Sequence, residues 1–439
     1  MYNININEEL TADKISRIIQ SFEISEKIKL QRYYDYFRGK QAILNKSYKD
    51  ASKPCNHIVK NYCFSIVNNY QGYIAGIPIT YNSNDDITNL IDIFNYNDIK
   101  NADAALLKNA LIFGVAYEIC YIDEDTKQRF KVIDSRECIP VYDDTLNENL
   151  LYMIRYYKKP SWKEDAETRY IIEVYSNASI RRYESNFNFS SLSLLEENPH
   201  YFKQVPFVEF RLNEEKDSIF DKIISLQDAY NELLSSEVDD FQAFTDAYLV
   251  LKGCGIAEED AAQMRENRIL MLDSEDSAEY LTKNISDTQI ENMLSNINDS
   301  IHVIANSPDF NDEKFMATSG IAMRYKLVGF ENTSSAIAAN MTKALQRRIE
   351  LLYTVMGLIA GDKFKDVQIK FTRNLPLDNT EIINTINSLR GMLSDRTLIS
   401  LLPFVSDVDA ELEAIQTQKV LNMEMYNFGG TAEETKENE

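Results

Sequence analysis

Apolar residues recur at helical spacing through most of the first third of the chain. Over residues 11–37, Ile15, Ile18, Ile19, Phe22, Ile28, Tyr33 and Phe37 mark helix, broken near Ser25 and stopped at Gly39. Ile58, Val59, Tyr62, Cys63, Ile66, Val67 and Tyr70 fall on one face of a further helix that ends in Gly72–Pro78. Ile77–Tyr81 reads as a short strand, and residues 85–113 return to helical spacing, with Ala104, Leu107, Ala110 and Leu111 in one stripe. At Gly114 the period drops to two. Val115, Tyr117, Ile119 and Tyr121 alternate with Ala116, Glu118, Cys120 and Ile122, which predicts a half-buried strand. Phe130–Ile133, Ile139–Tyr142, Leu150–Tyr157, Arg169–Tyr175 and Val205–Arg211 read as further strands of a compact antiparallel region with Asp-rich turns.

Two long helices follow. The first, over 217–248, carries Phe220, Ile223, Ile224, Leu234, Val238, Phe241 and Tyr248 on its apolar side and Asp228, Glu232 and Asp239 elsewhere. The second starts at a capping box, Ser286 with Gln289, and presents Ile290, Met293, Leu294, Ile297, Ile301 and Ile304 before Pro308 ends it. Between them, residues 249–285 read as a strand–helix–strand insert. Its strands are Leu249–Leu251 and Ile269–Leu272, and Glu258–Asp260 suit a helix start. Helix over 318–360, interrupted near Gly329, leads to a strand at Val367–Arg373 and three short helices over 378–424. The acidic tail from Gly429 has the composition of a disordered segment.

Composition narrows the function. The chain has 439 residues, 46 basic against 69 acidic, and a net charge of −23, which argues against tight, static DNA binding. Five scattered cysteines without a C-x-x-C pair predict reduced, buried thiols of an intracellular protein. The first residues lack a signal-peptide pattern, and the longest near-apolar run, Leu351–Gly361, is too short to span a bilayer; a soluble cytoplasmic chain is expected.

Enzyme signatures are sparse. No G-x-x-x-x-G-K-[ST] loop is present, and His57, His200 and His302 are far apart, without a ligand cluster. Asp143–Asp144, Asp239–Asp240 and Glu258–Asp260 are of a kind that holds metal in nucleases, but turn chemistry and a solvated helix face are the favoured reading. Tyr33, Tyr34, Tyr36 and Phe37 sit at core spacing rather than as base-stacking platforms. Two basic groups stand out, Arg324 with Lys326, and Lys343 with Arg347 and Arg348. Phosphate contact and pairing with neighbouring acids are both open for them.

Several stretches taken in order resemble the portal proteins of tailed bacteriophages, specifically the SPP1-type portal family. They are Asn56–Tyr62, Gly72–Tyr73, Gly76–Tyr81, Gly114–Glu118, Lys203–Glu215, Ile223–Tyr230, Asp239–Phe241, Asp246–Gly253, Ser307–Asp312, Ser319–Gly320, Tyr325–Glu331 and Phe371–Pro376. The resemblance spans about residues 55–420 and rests on their order, since no single motif is catalytic.

It implies an α+β portal fold assembled as a ring: a wing over 1–216, stem helices at 217–248 and 286–308, a clip at 249–285, a tunnel loop and helix within 309–377, a crown at 378–424 and a disordered acidic tail at 425–439. It further implies a homo-oligomeric ring, usually of twelve subunits, at the capsid vertex of the virion and assembled in the host bacterial cytoplasm. Double-stranded DNA would pass through it without sequence specificity. The implied partners are the terminase large subunit, a head–tail connector, and major capsid and scaffolding proteins, with no membrane, cofactor, metal or catalytic residue. The 286–307 helix is polar on one side (Asn292, Ser295, Asn296, Asn298, Asp299 and Ser300) and has no Lys or Arg, so this face is expected to line the channel, with Asn292, Ser295, Asn296 and Asp299 as the candidate residues. Arg324, Lys326 and Lys343 are expected to touch phosphate transiently at the constriction. A metal-dependent nuclease and an acidic helical adaptor are the alternatives, separable by magnesium-dependent cleavage and by size in solution.

Overall fold

The structure, a computed structural model, describes residues 2–49, 53–160, 168–245, 249–252, 277–280, 287–310, 320–357, 363–374, 379–402, 405 and 408–428. Met1–Asn374 and Leu375–Glu439 are two separate units. In the first, β1 (Tyr2–Ile4), α1 (Ala12–Ile24) and α2 (Glu26–Phe37) lead through an extended strap at 53–61 to α3 (Tyr62–Ala75). Next come β2 (Thr80–Asn82), α4 (Thr88–Tyr96), α5 (Ile99–Phe113), β3 (Val115–Ile122), β4 (Gln128–Ile133) and β5 (Cys138–Asp143). β6 (Leu150–Lys158), β7 (Arg169–Tyr175), β8 (Ser179–Asn186), β9 (Leu192–Pro199) and β10 (Phe207–Arg211) complete the β-rich region. α6 (Ile224–Thr245), β11 (Leu249–Lys252), β12 (Ser277–Tyr280), α7 (Asp287–Ile304), α8 (Gly320–Lys326), α9 (Val328–Met356) and β13 (Gln368–Lys370) follow. The second unit holds α10 (Asn379–Leu389), α11 (Asp395–Ser400) and α12 (Val408–Phe428).

Two open sheets face one another. β5 to β9 form an antiparallel meander, and β1 adds to β5 in parallel, the one departure there from the antiparallel expectation. The order β10-β3-β4 makes the second sheet. Val115, Tyr117, Ile119, Ile133, Cys138, Met153, Tyr175, Val205 and Phe207 fill the space between them. Strand β3 is not half-buried as its alternation predicts. Val115 to Cys120 are all buried, because α5 and α9 together cover the face opposite the inter-sheet core. The apolar pattern does not predict the hairpin β8–β9, since β9 (Leu192–Pro199) is mostly solvent-facing.

The other departures have local causes. Residues 58–61 are extended rather than helical, because the Ile58 and Lys60 amides are claimed by side chains of α6. Helix 85–113 splits at Asp98, whose φ is +50°. The predicted 217–248 helix begins only at a 3-10 turn, Asp221–Ile223, since Ser218 Oγ and Ile219 N both donate to the Leu111 carbonyl at the end of α5. The break expected near Gly329 falls at Leu327 instead. Gly329 lies inside the first turn of α9, where a Cβ would come within 3.0 Å of Asn306 Oδ1. Leu249–Lys252 pairs with Ser277–Tyr280. Ile269–Leu272, Glu258–Asp260, the Ser286 cap and the tail from Gly429 lie outside the described residues.

Gly114 ends α5 at φ +78°, and a Cβ there would sit 2.2 Å from the Lys216 carbonyl oxygen. Gly114→Ala should therefore cost roughly 3 kcal/mol. Gly72→Ala, in α3 with nothing within 4 Å, should stabilise by about 0.5–1 kcal/mol. Urea denaturation of the two variants checks the contrast.

Candidate nucleic-acid interface

Helix α6 buries a row of polar residues. Gln227, Asn231 and Ser235 are 0% exposed and Asp239 7%, at intervals of four residues. Each accepts a backbone N–H from the strap, which runs antiparallel to the helix. Asn56 N donates to Asp239 Oδ1 at 2.6 Å, Ile58 N to Ser235 Oγ at 3.0 Å, Lys60 N to Asn231 Oδ1 at 3.0 Å and Tyr62 N to Gln227 Oε1 at 2.9 Å. Gln227 Nε2 returns a bond to the Lys60 carbonyl at 2.7 Å. Four helical residues rise about 6.0 Å and two extended ones about 6.6 Å, so the rungs stay in step. Asp239 also receives Lys46 Nζ and Tyr48 OH, each at 3.3 Å. It is therefore an interior anchor and not the solvated face expected. Burial alone would raise its carboxyl, but the Asn56 donors and Lys46 hold it below the ordinary value.

Helix α7 packs along α6 through Ile301, which is fully buried, and the half-buried Ile290, Leu294 and Ile297. Asn292, Ser295, Asn296 and Asp299, at i, i+3, i+4 and i+7, make one exposed stripe on its far side. Met293 and Ile304, expected in the apolar face, are about half exposed (53% and 49%) on its flank. Tyr62 joins the helices: its hydroxyl donates to Asn298 Oδ1 at 2.7 Å, and its ring meets Tyr230 and His302 edge-on.

The basic positions lie on other helices than the stripe. Arg324 and Lys326 are carried by α8, with Lys326 exposed, and Lys343 is exposed on α9. Arg347 is bound to Gln204, to Glu350 and to the Val205 carbonyl. Arg348, the third residue of that group, is fully buried: Nε and Nη2 reach Glu118 at 2.6 and 2.8 Å, and Nη1 reaches Asp103 at 2.5 Å. Tyr81 OH donates to the other Asp103 oxygen at 2.6 Å. Burial raises the Glu118 carboxyl. Burial alone would lower the Arg348 guanidinium, but the two carboxylates hold it above its ordinary value. Near the start of α9, Glu331 takes Tyr73 OH, Ser335 Oγ and Arg373 Nε. Burial alone would raise its carboxyl too, yet these donors keep it low.

The remaining candidates have structural partners. Asp143 closes its turn by accepting from Thr145 and Asn149. Tyr33, Tyr36 and Phe37 are core, with Tyr33 OH on Asp221 and Tyr36 OH on Asp228 of α6. His57, His200 and His302 each bond a backbone carbonyl. Cys63, Cys120 and Cys138 are buried, Cys55 is half-buried, and Cys254 is outside the described residues. Among the described residues no cluster of three His, Cys, Asp or Glu is placed to hold a metal ion, and no helix is long and apolar enough to cross a membrane.

Compared with known proteins, residues 17–424 match the family described as "Phage portal protein, SPP1 Gp6-like". The chain is similar to the portal protein of Bacillus phage SPP1, at 24% identity over 417 residues, which cover 89% of this chain and 80% of the relative. It is also similar to the portal protein of Clostridium phage phiCD119, at 22% identity over 442 residues, covering 93% and 96%.

Removing the Arg348 cation strands two buried carboxylates, whereas Glu118→Gln leaves one pair intact. Arg348→Met should cost about 3–5 kcal/mol and Glu118→Gln less, as read by denaturant midpoints. Asp239 contributes stability that is complete above its unfolded pKa, about 4, and is lost as pH falls through its depressed folded value. Asp239→Asn should therefore make unfolding free energy less steep below about pH 4 than in the parent. An unchanged slope would remove Asp239 from that role.

Proposed function

This chain belongs to the SPP1 Gp6-like family of phage portal proteins, and on that premise we propose that its copies close into a ring, of twelve by the usual number, with α7 lining the DNA channel. Portal proteins are structural components of the virion capsid rather than enzymes. Packaging, retention and ejection of the genome follow from that place, with docking to terminase on one side of assembly and to a head–tail connector on the other. In this reading residues 1–216 form the wing, α6 and α7 the stem, 249–285 the clip, 309–377 the tunnel region and 378–424 the crown.

One observation carries the channel assignment: the exposed stripe of Asn292, Ser295, Asn296 and Asp299 on a helix without Lys or Arg. Amides and hydroxyls hydrate readily, and one Asp299 from every copy repels phosphate. Each neutralised phosphate would add salt-sensitive affinity and resist sliding. Lys326 and Lys343 are exposed cations on separate helices, suited to brief phosphate contacts along the same path, with Arg324 beside Lys326 in sequence.

Replacing Asn292 and Asp299 together by Lys should leave rings assembled. It should slow packaging into capsids and steepen the salt dependence of DNA retention by the added phosphate contacts. Packaging and salt dependence equal to the parent would place α7 away from the DNA.

A further inference from the structure

We infer that Gln227, Asn231, Ser235 and Asp239 are positioning residues, which hold the α7 stripe at a fixed height against the β-rich body and so set where the channel wall meets the duplex. The inference rests on the portal reading above. Apolar side chains at these four buried positions would pack without needing any partner. The polar ones require a partner each, and they find it in every second amide of the strap, at Asn56, Ile58, Lys60 and Tyr62. Buried polar groups of this kind specify register best, because a shifted alignment leaves donors and acceptors unmatched.

The row works as a ruler. Sliding α6 by less than a full rung points its acceptors between amides. Sliding by a whole rung carries Gln227 or Asp239 past the end of the row, since Ile223 and Ala243 at the next four-residue steps have no polar group. Tyr62 hands that register on. Its amide is the last rung, and its hydroxyl holds Asn298, the neighbour of Asp299 on the stripe helix. The strap itself continues into α3, where Asn61 caps the helix by accepting from Phe64 N at 3.1 Å. Asn231 Nδ2 also donates to Gln41 Oε1 at 2.5 Å, so the row is fastened on the α2 side as well.

The alternation supplies its own control. Ile58→Pro removes a rung amide, whereas Val59→Pro removes an amide that makes no rung. Ser235→Ala removes one acceptor oxygen, and Ser235→Thr restores it. Ring assembly by electron microscopy, melting temperature and packaged DNA per assembled ring are read for all four. We expect Ile58→Pro and Ser235→Ala rings to package several-fold less DNA per ring, with Val59→Pro and Ser235→Thr within about twofold of the parent. If Ile58→Pro fails to fold, Ser235→Ala, which deletes a single atom from the row, decides. Normal packaging by Ser235→Ala rings, or equal damage from Val59→Pro and Ile58→Pro, overturns the inference while leaving the portal reading standing. A parent chain that neither forms rings nor fills capsids overturns both.

Discussion

A helix that buries two amides, a hydroxyl and a carboxylate in one row must find a partner for each, and any group left bare costs about 1–3 kcal/mol. Helix α6 meets that constraint with one element, the extended strap before α3, whose amides repeat at nearly the same interval as the row. Much of the first unit's arrangement follows from it. The strap cannot become helix, so α3 starts at Tyr62; α2 is drawn onto α6 by Tyr36, and onto the 3-10 turn before it by Tyr33. With one face of α6 committed to the strap, its adjoining apolar face takes α7, and the far side of α7 is left to solvent.

Helix α9 is fixed by a second polar anchor. Arg348 reaches through it to Asp103 on α5 and Glu118 on β3, and Glu331 near its start holds Tyr73 of α3 and Arg373 beyond β13. Both anchors join segments far apart in the chain. Arg348 is committed to this buried anchor, and the stripe helix carries no Lys or Arg. For a conduit, that distribution suits a wall that hydrates and repels.

The sequence made the helices and the central strands legible, because apolar spacing reports burial on one face. It failed where burial was polar or two-sided. Ile58–Asn61 has helical spacing yet lies extended, since the deciding partner is 170 residues or more away on α6. The apolar pattern does not single out Gln227, Asn231 and Ser235, although their four-residue interval beside the apolar stripe is a usable signal. The alternation in β3 puts Glu118 on the face opposite Tyr117, and nothing in that pattern announces the Arg348 guanidinium of α9 that meets it there. Asn292, Ser295, Asn296 and Asp299 lie on one exposed face of α7, while Asn298 of the same polar run turns inward to Tyr62. The basic group at 343–348 divided instead: Arg348 went to the core, Arg347 to a neighbour, and Lys343 to solvent. Some of the stretches that carry the family resemblance supply these contacts: Asn56–Tyr62, Gln227 and Asp239 in the strap row, and Glu118, Glu331 and Arg373 around α9.

A reconstruction of the purified, assembled protein by electron cryomicroscopy tests the central claim most directly. The account predicts a closed ring with a central hole wide enough for B-form duplex and with Asn292, Asn296 and Asp299 of every copy facing that hole. A monomer, or a ring in which this face of α7 is buried against the adjacent copy, would contradict it.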